Sequence, residues 1–196
     1  MLQLLILFGE LFSLVLPGLQ TWEKEKDEDG IQIFTRPVPE SDFREFRGEM
    51  ELEKGSIHSI VNVLLDVNGY GSLYPDCYGP VVLYRETPGT ITYYLVSKAP
   101  WPFKDRDGIY ELAVTENDSS ARISIRVLPD YIPEKKQYVR LKKGEGFWEV
   151  RRSDTGGIGV IYQFLAGISE KVPELLLRRY NVDTPFQTLE NLRKRL

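Results

Sequence analysis

The sequence is poor in the residues that build crosslinks and metal sites. Among its 196 residues there is one cysteine, Cys77, and one histidine, His58. A single cysteine cannot form an internal disulfide, and the usual zinc site of three or four His and Cys ligands is not available. Nucleophilic catalysis also lacks a partner pair, because the pattern places His58 in a helix and Cys77 in a loop. We therefore expect no metal and no cofactor.

The chain also lacks the excess of positive charge that a nucleic-acid-binding protein needs. Its net charge is −4, which argues against nucleic acid as the main partner. The segment TGGIGV has neither the glycine spacing nor the strand-to-helix setting of a dinucleotide-binding turn. A hydrophobic content of 42% and a charged content of 28% are ordinary for a soluble globular protein. The length suits one domain, and we expect a monomer.

The N-terminal segment MLQLLILFGELFSLVLPGLQ, residues 1–20, is rich in leucine and phenylalanine. One interpretation is a secretory signal peptide, with a mature chain that begins near Leu19 to Thr21. The protein would then be secreted or periplasmic. The other interpretation is an N-terminal apolar helix packed on the domain, which would leave the protein cytoplasmic. No basic residue precedes the apolar run and Glu10 interrupts it, so the segment departs from a typical signal.

The remainder, residues 21–196, has the pattern of an antiparallel sheet with one long terminal helix. A charged run, EKEKDEDG, is predicted to be solvated. Alternation of apolar and polar residues predicts strands, and these are IQIFTRPV, FREFRGEMELE, VVLYRET, TITYYLVSK, RDGIYELAV, ARISIRVL, GFWEVRRS and IGVIYQFL. Ser56 is positioned to cap a helix that follows it. The last thirty residues change to a helical period, which predicts a long helix, either continuous or broken at Pro185, with an apolar stripe at Phe186, Leu189, Leu192 and Leu196.

This order of elements defines an α+β fold. A curled antiparallel sheet with a helix laid in its concavity can leave a space between the two layers. Such a space would be a ligand cavity.

Four segments together resemble the START lipid-transfer domain, a helix-grip fold. They are DGIQIFTR, APWPFKDRD, GFWEV and the terminal VPELLLRRYNVDTPFQTLENLRKRL. The resemblance runs from Trp22 to Leu196 in the family's order, so residues 21–196 are predicted to form a START-like domain. It implies a curved sheet wrapped around a long C-terminal helix, with an internal cavity for a hydrophobic ligand. One departure is that Leu73 and Tyr74 stand where the family often has a tryptophan.

The resemblance implies non-covalent binding, and in some members transfer, of an acyl-chain lipid or a sterol-like lipid. The alternative is a helix-grip enzyme, cyclase-like or hydrolase-like, that uses cavity tyrosines or acids. Its candidates would be Tyr93, Tyr94 and Tyr110. We expect a binding protein and no enzyme. A lid that opens at the membrane is expected in the loop from Asn68 to Pro80 or at the ends of the terminal helix.

Strand alternation and the resemblance together predict the cavity lining. Steroid-binding members pair an acid with an arginine inside the cavity, and the matching positions here, near Tyr93 and at Leu112, are uncharged. We therefore expect a mainly apolar cavity whose only polar groups are tyrosine hydroxyls. The predicted ligand-binding residues are Tyr93, Leu95, Tyr110, Leu112, Val114, Ile125, Trp148, Leu176, Leu177 and Tyr180.

Two further predictions concern charged segments. The prolines of APWPFKDRDGIYEL are expected to stop sheet pairing, while Asp105, Arg106 and Asp107 fasten the next strand by ion pairs or caps. For Arg106 we favour this structural role over ligand contact. The segment KKQYVRLKK places five cations in nine residues. It is either a solvated sheet edge or a transient contact for anionic membrane surfaces.

Overall fold

A computed structural model describes residues 21–39, 44–86, 89–167 and 174–196. Within them, ten strands form one antiparallel sheet in the order β1-β2-β3-β10-β9-β7-β6-β5-β4, with β8 added to β6 in parallel. The strands are β1 (Glu23–Glu28), β2 (Ile31–Pro37), β3 (Arg44–Leu52), β4 (Cys77–Glu86), β5 (Thr90–Ser97), β6 (Arg106–Glu116), β7 (Ser120–Val127), β8 (Val139–Arg140), β9 (Lys143–Arg152) and β10 (Ile158–Gly167).

The helical elements lie on the inner face of this curved sheet. They are α1 (Ile57–Leu65), a 3₁₀ turn (Val67–Gly69), α2 (Tyr70–Leu73), α3 (Glu174–Arg178), a π-helical turn (Arg179–Asp183) and α4 (Thr184–Lys194). The predicted helix-grip α+β fold is confirmed. No helix among the residues described is long and apolar enough to cross a bilayer. The predicted N-terminal signal lies outside the described residues and stays a prediction.

Strand alternation fixes which face of the sheet is inside. In β7, every second residue from Ala121 to Val127 is buried and the residues between are exposed. Its partners repeat this pattern, because Ile125 pairs with Leu112 of β6 and Ile123 with Trp148 of β9. The inner faces of the central strands therefore form one continuous apolar trough.

Helix α1 closes one end of that trough. Ser56 caps it as predicted, since its side chain accepts a hydrogen bond from the Ser59 amide and the Ser59 hydroxyl accepts one from the Ser56 amide. The helix buries Ile60 and Leu64 against the sheet and contacts β7 and β9.

The C-terminal helical segment covers the trough from the other side. Leu189 and Leu192 are fully buried, and α4 packs on β2 and β3. A Cβ at Gly48 would lie 2.7 Å from the Leu189 methyl Cδ1, so glycine permits the close approach of helix and sheet. Leu196, predicted as the end of the buried stripe, is 45% exposed. That part of the prediction is wrong, because α4 ends at Lys194.

A π-helical turn interrupts the helical segment just before Pro185. Proline has no N–H to donate to the preceding turn, and π-turns are frequent where a helix is adapted to a site. The turn packs on β2 and β3. The predicted long helix is thus divided into α3 and α4 at this point.

Two short strands were not predicted. The charged run Glu23–Glu28, predicted only to be solvated, forms an edge strand, β1, whose residues are exposed or half-buried. Charges on an edge strand deter further strand addition, and the ammonium of Lys26 lies 3.6 Å from the ring centroid of Phe186. Strand β8 lies within the lysine-rich segment and pairs with β6 at Arg106 and Asp107.

A buried ion pair on the outer face of the sheet holds β8 against β6. The side chains of Asp107 and Arg140 are each 1% exposed. The Nε and Nη2 of Arg140 donate to the two carboxylate oxygens of Asp107 at 3.0 and 2.9 Å. The remaining N–H groups donate to the carbonyls of Pro129, Ile132 and Pro133. Arg140 was predicted to be one of five surface cations, and it is instead a saturated internal clamp.

Candidate functional site

A partly open cavity of about 160 Å³ lies between the sheet and the π-helical turn. Strands β3, β5, β6, β7 and β10 contribute its apolar wall, and the segment from Tyr74 to Cys77 contributes one side. The lining residues are Phe46, Tyr74, Pro75, Asp76, Cys77, Tyr93, Leu95, Ser97, Lys98, Arg106, Tyr110, Ile125, Leu141, Tyr162, Phe164, Ala166, Tyr180, Asn181 and Thr184.

The structure brings five of the ten predicted residues to this cavity. They are Tyr93, Leu95, Tyr110, Ile125 and Tyr180. The register explains their convergence, because Tyr93 pairs with Tyr110, and Leu95 pairs with the next inward-facing position of β6, Gly108.

Three other predicted residues share these strand faces but lie toward the α1 end. Leu112 and Trp148 are 2% and 1% exposed and belong to the main core with Val114 packed against it. Alternation places all three on the correct face. Strand alternation does not indicate which end of the trough α1 fills. The residues at the end that α1 fills do not line the cavity.

The last two predicted residues, Leu176 and Leu177, belong to a separate cluster beside the cavity. Leu176 is buried, and Phe103, Leu165, Leu177 and Tyr180 pack against it. This cluster, which we call the rim cluster, joins α3 to the loop before β6. Tyr180 is the member that also lines the cavity.

A belt of aromatic rings separates the cavity from the α1 end. Tyr93 stacks on Tyr110 with ring centroids 5.1 Å apart, and Tyr70 meets Tyr93 edge to face at 5.0 Å. Across the trough, Tyr162 stacks on Trp148 at 3.9 Å. Trp148 donates from Nε1 to the hydroxyl of Tyr74 at 3.3 Å. Such packed rings give the cavity a rigid apolar floor.

The tyrosines offer little to the enzyme hypothesis. Burial raises the pKa of Tyr93, Tyr110 and Tyr162 well above the ordinary value, so these hydroxyls stay protonated at neutral pH and are weak general bases. Tyr94, the third candidate, lies on the outer face with Val96 and Ile109. The cavity therefore presents neutral phenols to a ligand.

The opposite end of the cavity is polar, which the sequence analysis did not predict. Lys98, Arg106, Asp76 and Asn181 all line it. The expectation that tyrosine hydroxyls are the only polar groups is wrong. It came from two positions matched to steroid-binding members, and neither of them lies at this end of strands β5 and β6.

The loop before β6 is fastened as expected by its first acid. Asp105 accepts hydrogen bonds from the Tyr78 hydroxyl at 2.7 Å and the Ala99 amide at 2.9 Å. These bonds hold the pKa of Asp105 below its ordinary value. Asp107 fastens the outer face through Arg140. Arg106, between them, points into the cavity instead, because adjacent residues of a strand face opposite sides.

Cys77 lines the cavity as a neutral thiol. Its Sγ lies 3.4 Å from the Ser97 hydroxyl, and burial raises the pKa of Cys77 to about 11. A thiol with such a pKa is a poor nucleophile at neutral pH, so its chemistry here is that of a small apolar side chain.

Comparison with known proteins places this geometry in a family. No family model matches the sequence. An uncharacterized protein of Pseudomonas aeruginosa is 28% identical over 175 residues, which is 89% of this chain and 86% of that protein. The crystal structure of the STAR-related lipid transfer protein from Xanthomonas axonopodis, a fragment, is 34% identical. It covers 88% of this chain and 97% of its own, with a TM-score of 0.79.

Two human structures share the fold at lower identity. Human STARD10 is 15% identical with a TM-score of 0.75, covering 89% of this chain and 72% of its own. Human StAR-related lipid transfer protein 5 is 14% identical with a TM-score of 0.73, covering 89% and 85%. From the likeness to the Xanthomonas protein over nearly its whole length, this chain belongs to the STAR-related lipid transfer (START) family.

Proposed function

We propose that the protein binds one lipid non-covalently in the cavity and carries it between membranes. The observation that carries this proposal is the cavity itself, walled by aromatic and aliphatic side chains of the sheet and covered by the C-terminal helical segment. The START relative from Xanthomonas, named as a lipid transfer protein, supports it.

The physical task is to shield an acyl chain from water. An exposed chain loses about 0.8 kcal/mol per CH₂ relative to an apolar environment, so a dozen methylenes amount to about 10 kcal/mol. Transfer from bilayer to cavity exchanges one apolar environment for another. No covalent chemistry is required.

The cavity must enlarge to take up a lipid. Its volume of about 160 Å³ is below the roughly 300–1,000 Å³ of ordinary ligand pockets. The rim cluster and the π-helical turn are the elements that cover it, and π-turns within helices occur frequently at functional sites. We therefore assign the opening movement to α3, the π-helical turn and the segment from Tyr74 to Cys77.

A cavity-filling variant tests the binding. Ala166 of β10 lines the cavity. The change Ala166→Trp should fill the cavity and weaken the binding of a neutral fluorescent lipid at least tenfold. The matched control is Ala113→Trp, since Ala113 is an exposed strand alanine. Both variants should keep the wild-type circular dichroism spectrum. Equal lipid binding by the two variants would show that the ligand lies elsewhere.

The membrane contact is proposed for the loop that precedes β6. Trp101 is 93% exposed and stands between two cavity-lining residues, Lys98 and Arg106. Lys104 donates to the carbonyl of Lys136 at 3.2 Å, which brings the lysine-rich segment to the same edge. An exposed tryptophan among cations suits the headgroup region of an anionic bilayer.

Vesicle co-sedimentation tests this contact. With phosphatidylglycerol-containing vesicles, Trp101→Ala should weaken association about tenfold, from the apolar area that a buried tryptophan removes from water. The control is Tyr84→Ala, which removes another exposed aromatic residue, 48% exposed on β4. If the two variants sediment alike, this loop is not the contact.

The localisation is proposed on the N-terminal segment alone. If residues 1–20 are a cleaved signal, the protein acts outside the cytoplasm, and otherwise within it. N-terminal sequencing of protein from its native source decides this, since a chain that begins at Met1 or Leu2 excludes cleavage.

A further inference from the structure

Arg106 is a buried cation whose hydrogen-bonding capacity is not used up. It is 5% exposed and lines the cavity. Its Nη1 donates to the carbonyl of Lys104 at 2.9 Å, but its Nε has no hydrogen-bond partner. A buried guanidinium N–H without an acceptor costs free energy. We therefore expect a hydrogen-bond acceptor to bind at this position.

Within the described part of the chain, Arg106 also has no carboxylate within ion-pair distance. Hydrogen bonds from Tyr78 and Ala99, with a smaller contribution from the Arg106 charge, lower the pKa of Asp105, and the cavity-lining Asp76 pairs with Arg179. The Phe103 ring lies 6.0 Å from the guanidinium carbon, at the limit of a cation–π contact. Arg106 therefore has no ion-pair partner of its own among the described residues.

The second buried arginine of this strand pair is the internal comparison. Arg140 makes five hydrogen bonds, two of them to the Asp107 carboxylate. The fold thus neutralises the arginine on the outer face and leaves the inner one open. That contrast is expected when the partner of the inner arginine is a bound anion.

A second polar atom at the cavity is also without a partner. The hydroxyl of Tyr180 is buried and unpaired, and Tyr180 lines the same cavity as Arg106. Burial raises the pKa of Tyr180, with the Arg106 charge acting in the opposite direction. The phenol therefore remains a hydrogen-bond donor close to the guanidinium.

We infer that the lipid of the proposed function carries an anionic head, a carboxylate or a phosphate monoester, that accepts hydrogen bonds from Arg106 and Tyr180. Its chain lies against the aromatic and aliphatic wall, toward the Tyr93 and Tyr110 rings. A charge-assisted hydrogen bond to a planar guanidinium is the strongest contact this cavity offers. The inference rests on the proposed function, because it names the head of the molecule that the cavity binds.

The test compares ligands that differ only in the head. Hexadecanoate, hexadecyl phosphate, hexadecanol and hexadecylammonium are titrated against wild-type protein loaded with a neutral fluorescent lipid. At least one anion should bind on the order of 10- to 100-fold more tightly than the alcohol, and the ammonium should bind most weakly. The anion that leads identifies the head as carboxylate or phosphate.

Variants then locate the preference. Arg106→Gln should remove most of the advantage of the anion over the alcohol while leaving alcohol binding measurable, and Arg106→Lys should restore part of it. The control is Arg126→Gln, which removes the same charge from an exposed side chain on β7 paired with Glu111. It should keep the wild-type preference.

The outcomes separate the two proposals. If the neutral fluorescent lipid itself does not bind to the wild-type protein, the cavity does not bind lipid and the proposed function fails. If alcohol and anions bind equally to the wild-type protein, lipid binding stands and the anionic head is wrong. This comparison needs no variant, so it holds even if Arg106→Gln does not fold. A preference that survives Arg106→Gln would place the anion at another group.

Discussion

Removal of Arg140 should reveal how much the outer-face clamp contributes to stability. The change Arg140→Met keeps an unbranched, flexible side chain and removes all of the guanidinium N–H groups. It would leave the Asp107 carboxylate at 1% exposure without a counterion. The carbonyls of Pro129, Ile132 and Pro133 would also lose their donors.

The expected cost follows from the burial of the pair. Removing one partner of a buried ion pair typically destabilises a protein by about 3–5 kcal/mol, because the other charge stays buried and uncompensated. An exposed pair is worth about 0–1 kcal/mol. The reference here is Arg126 with Glu111, whose side chains are 67% and 26% exposed.

Urea unfolding, followed by tryptophan fluorescence, measures both. Arg140→Met should lower the free energy of unfolding by about 3–5 kcal/mol, and Arg126→Met by less than about 1 kcal/mol. The double variant Asp107→Leu with Arg140→Met should cost less than the sum of its single changes, since it leaves no unpaired charge. If Arg140→Met costs no more than Arg126→Met, the clamp does not stabilise the sheet.

Two further predictions concern the core and the cavity. Leu189→Ala should cost about 2–5 kcal/mol by leaving a cavity above Gly48, whereas Leu196→Ala, at an exposed position, should cost less than about 0.5 kcal/mol in the same unfolding assay. Cys77, whose pKa burial raises to about 11, should have a thiolate fraction at pH 8 about 100-fold below that of an ordinary cysteine. A thiolate of higher pKa is more nucleophilic, which compensates for about a factor of ten of the lower thiolate fraction. Iodoacetamide labelling of Cys77 should therefore be about tenfold slower than that of free cysteine. It should accelerate as pH rises toward 11, and slow further when lipid is bound; labelling at the free-cysteine rate would contradict the placement of the thiol.

The sheet was predictable because its information is local. Alternation in β7 identifies the inner residues Ile123 and Ile125 without knowledge of their neighbours. The same rule, extended along β6 from Tyr110 back by two steps of two, places Gly108 and Arg106 on the inner face. The inward orientation of Arg106 was therefore predictable from the sequence. The resemblance to steroid-binding members instead pointed to Leu112, at the other end of the strand.

The position of the cavity was not predictable in this way. Leu112 and Tyr110 have the same phase in β6, but α1 fills the trough at one and the π-helical turn leaves space at the other. That difference depends on contacts between elements far apart in sequence. Phe164 of β10 illustrates the intermediate case, since its strand was predicted and its face was left unassigned, while Ala166 lies one residue beyond the predicted strand.

Arg140 shows why charge composition alone misplaces a residue. It sits among lysines that are exposed, and nothing local distinguishes it from them. Its burial follows from topology: β7 pairs with β6 only as far as Tyr110, so the first residues of β6 have a free edge. Strand β8 pairs with that edge, which places Arg140 next to Asp107.

The two faces of β6 have different roles. Asp107 faces outward to a saturated partner, so perturbing Arg140 should change the free energy of unfolding. Arg106 faces inward with an open N–H, so Arg106→Gln should change the choice of ligand more than stability, because a buried charge without a partner does not stabilise the fold. Measuring unfolding and headgroup preference for both variants therefore decides the assignment. A large loss of stability in Arg106→Gln, with headgroup preference unchanged, would make Arg106 a structural residue as the sequence first suggested.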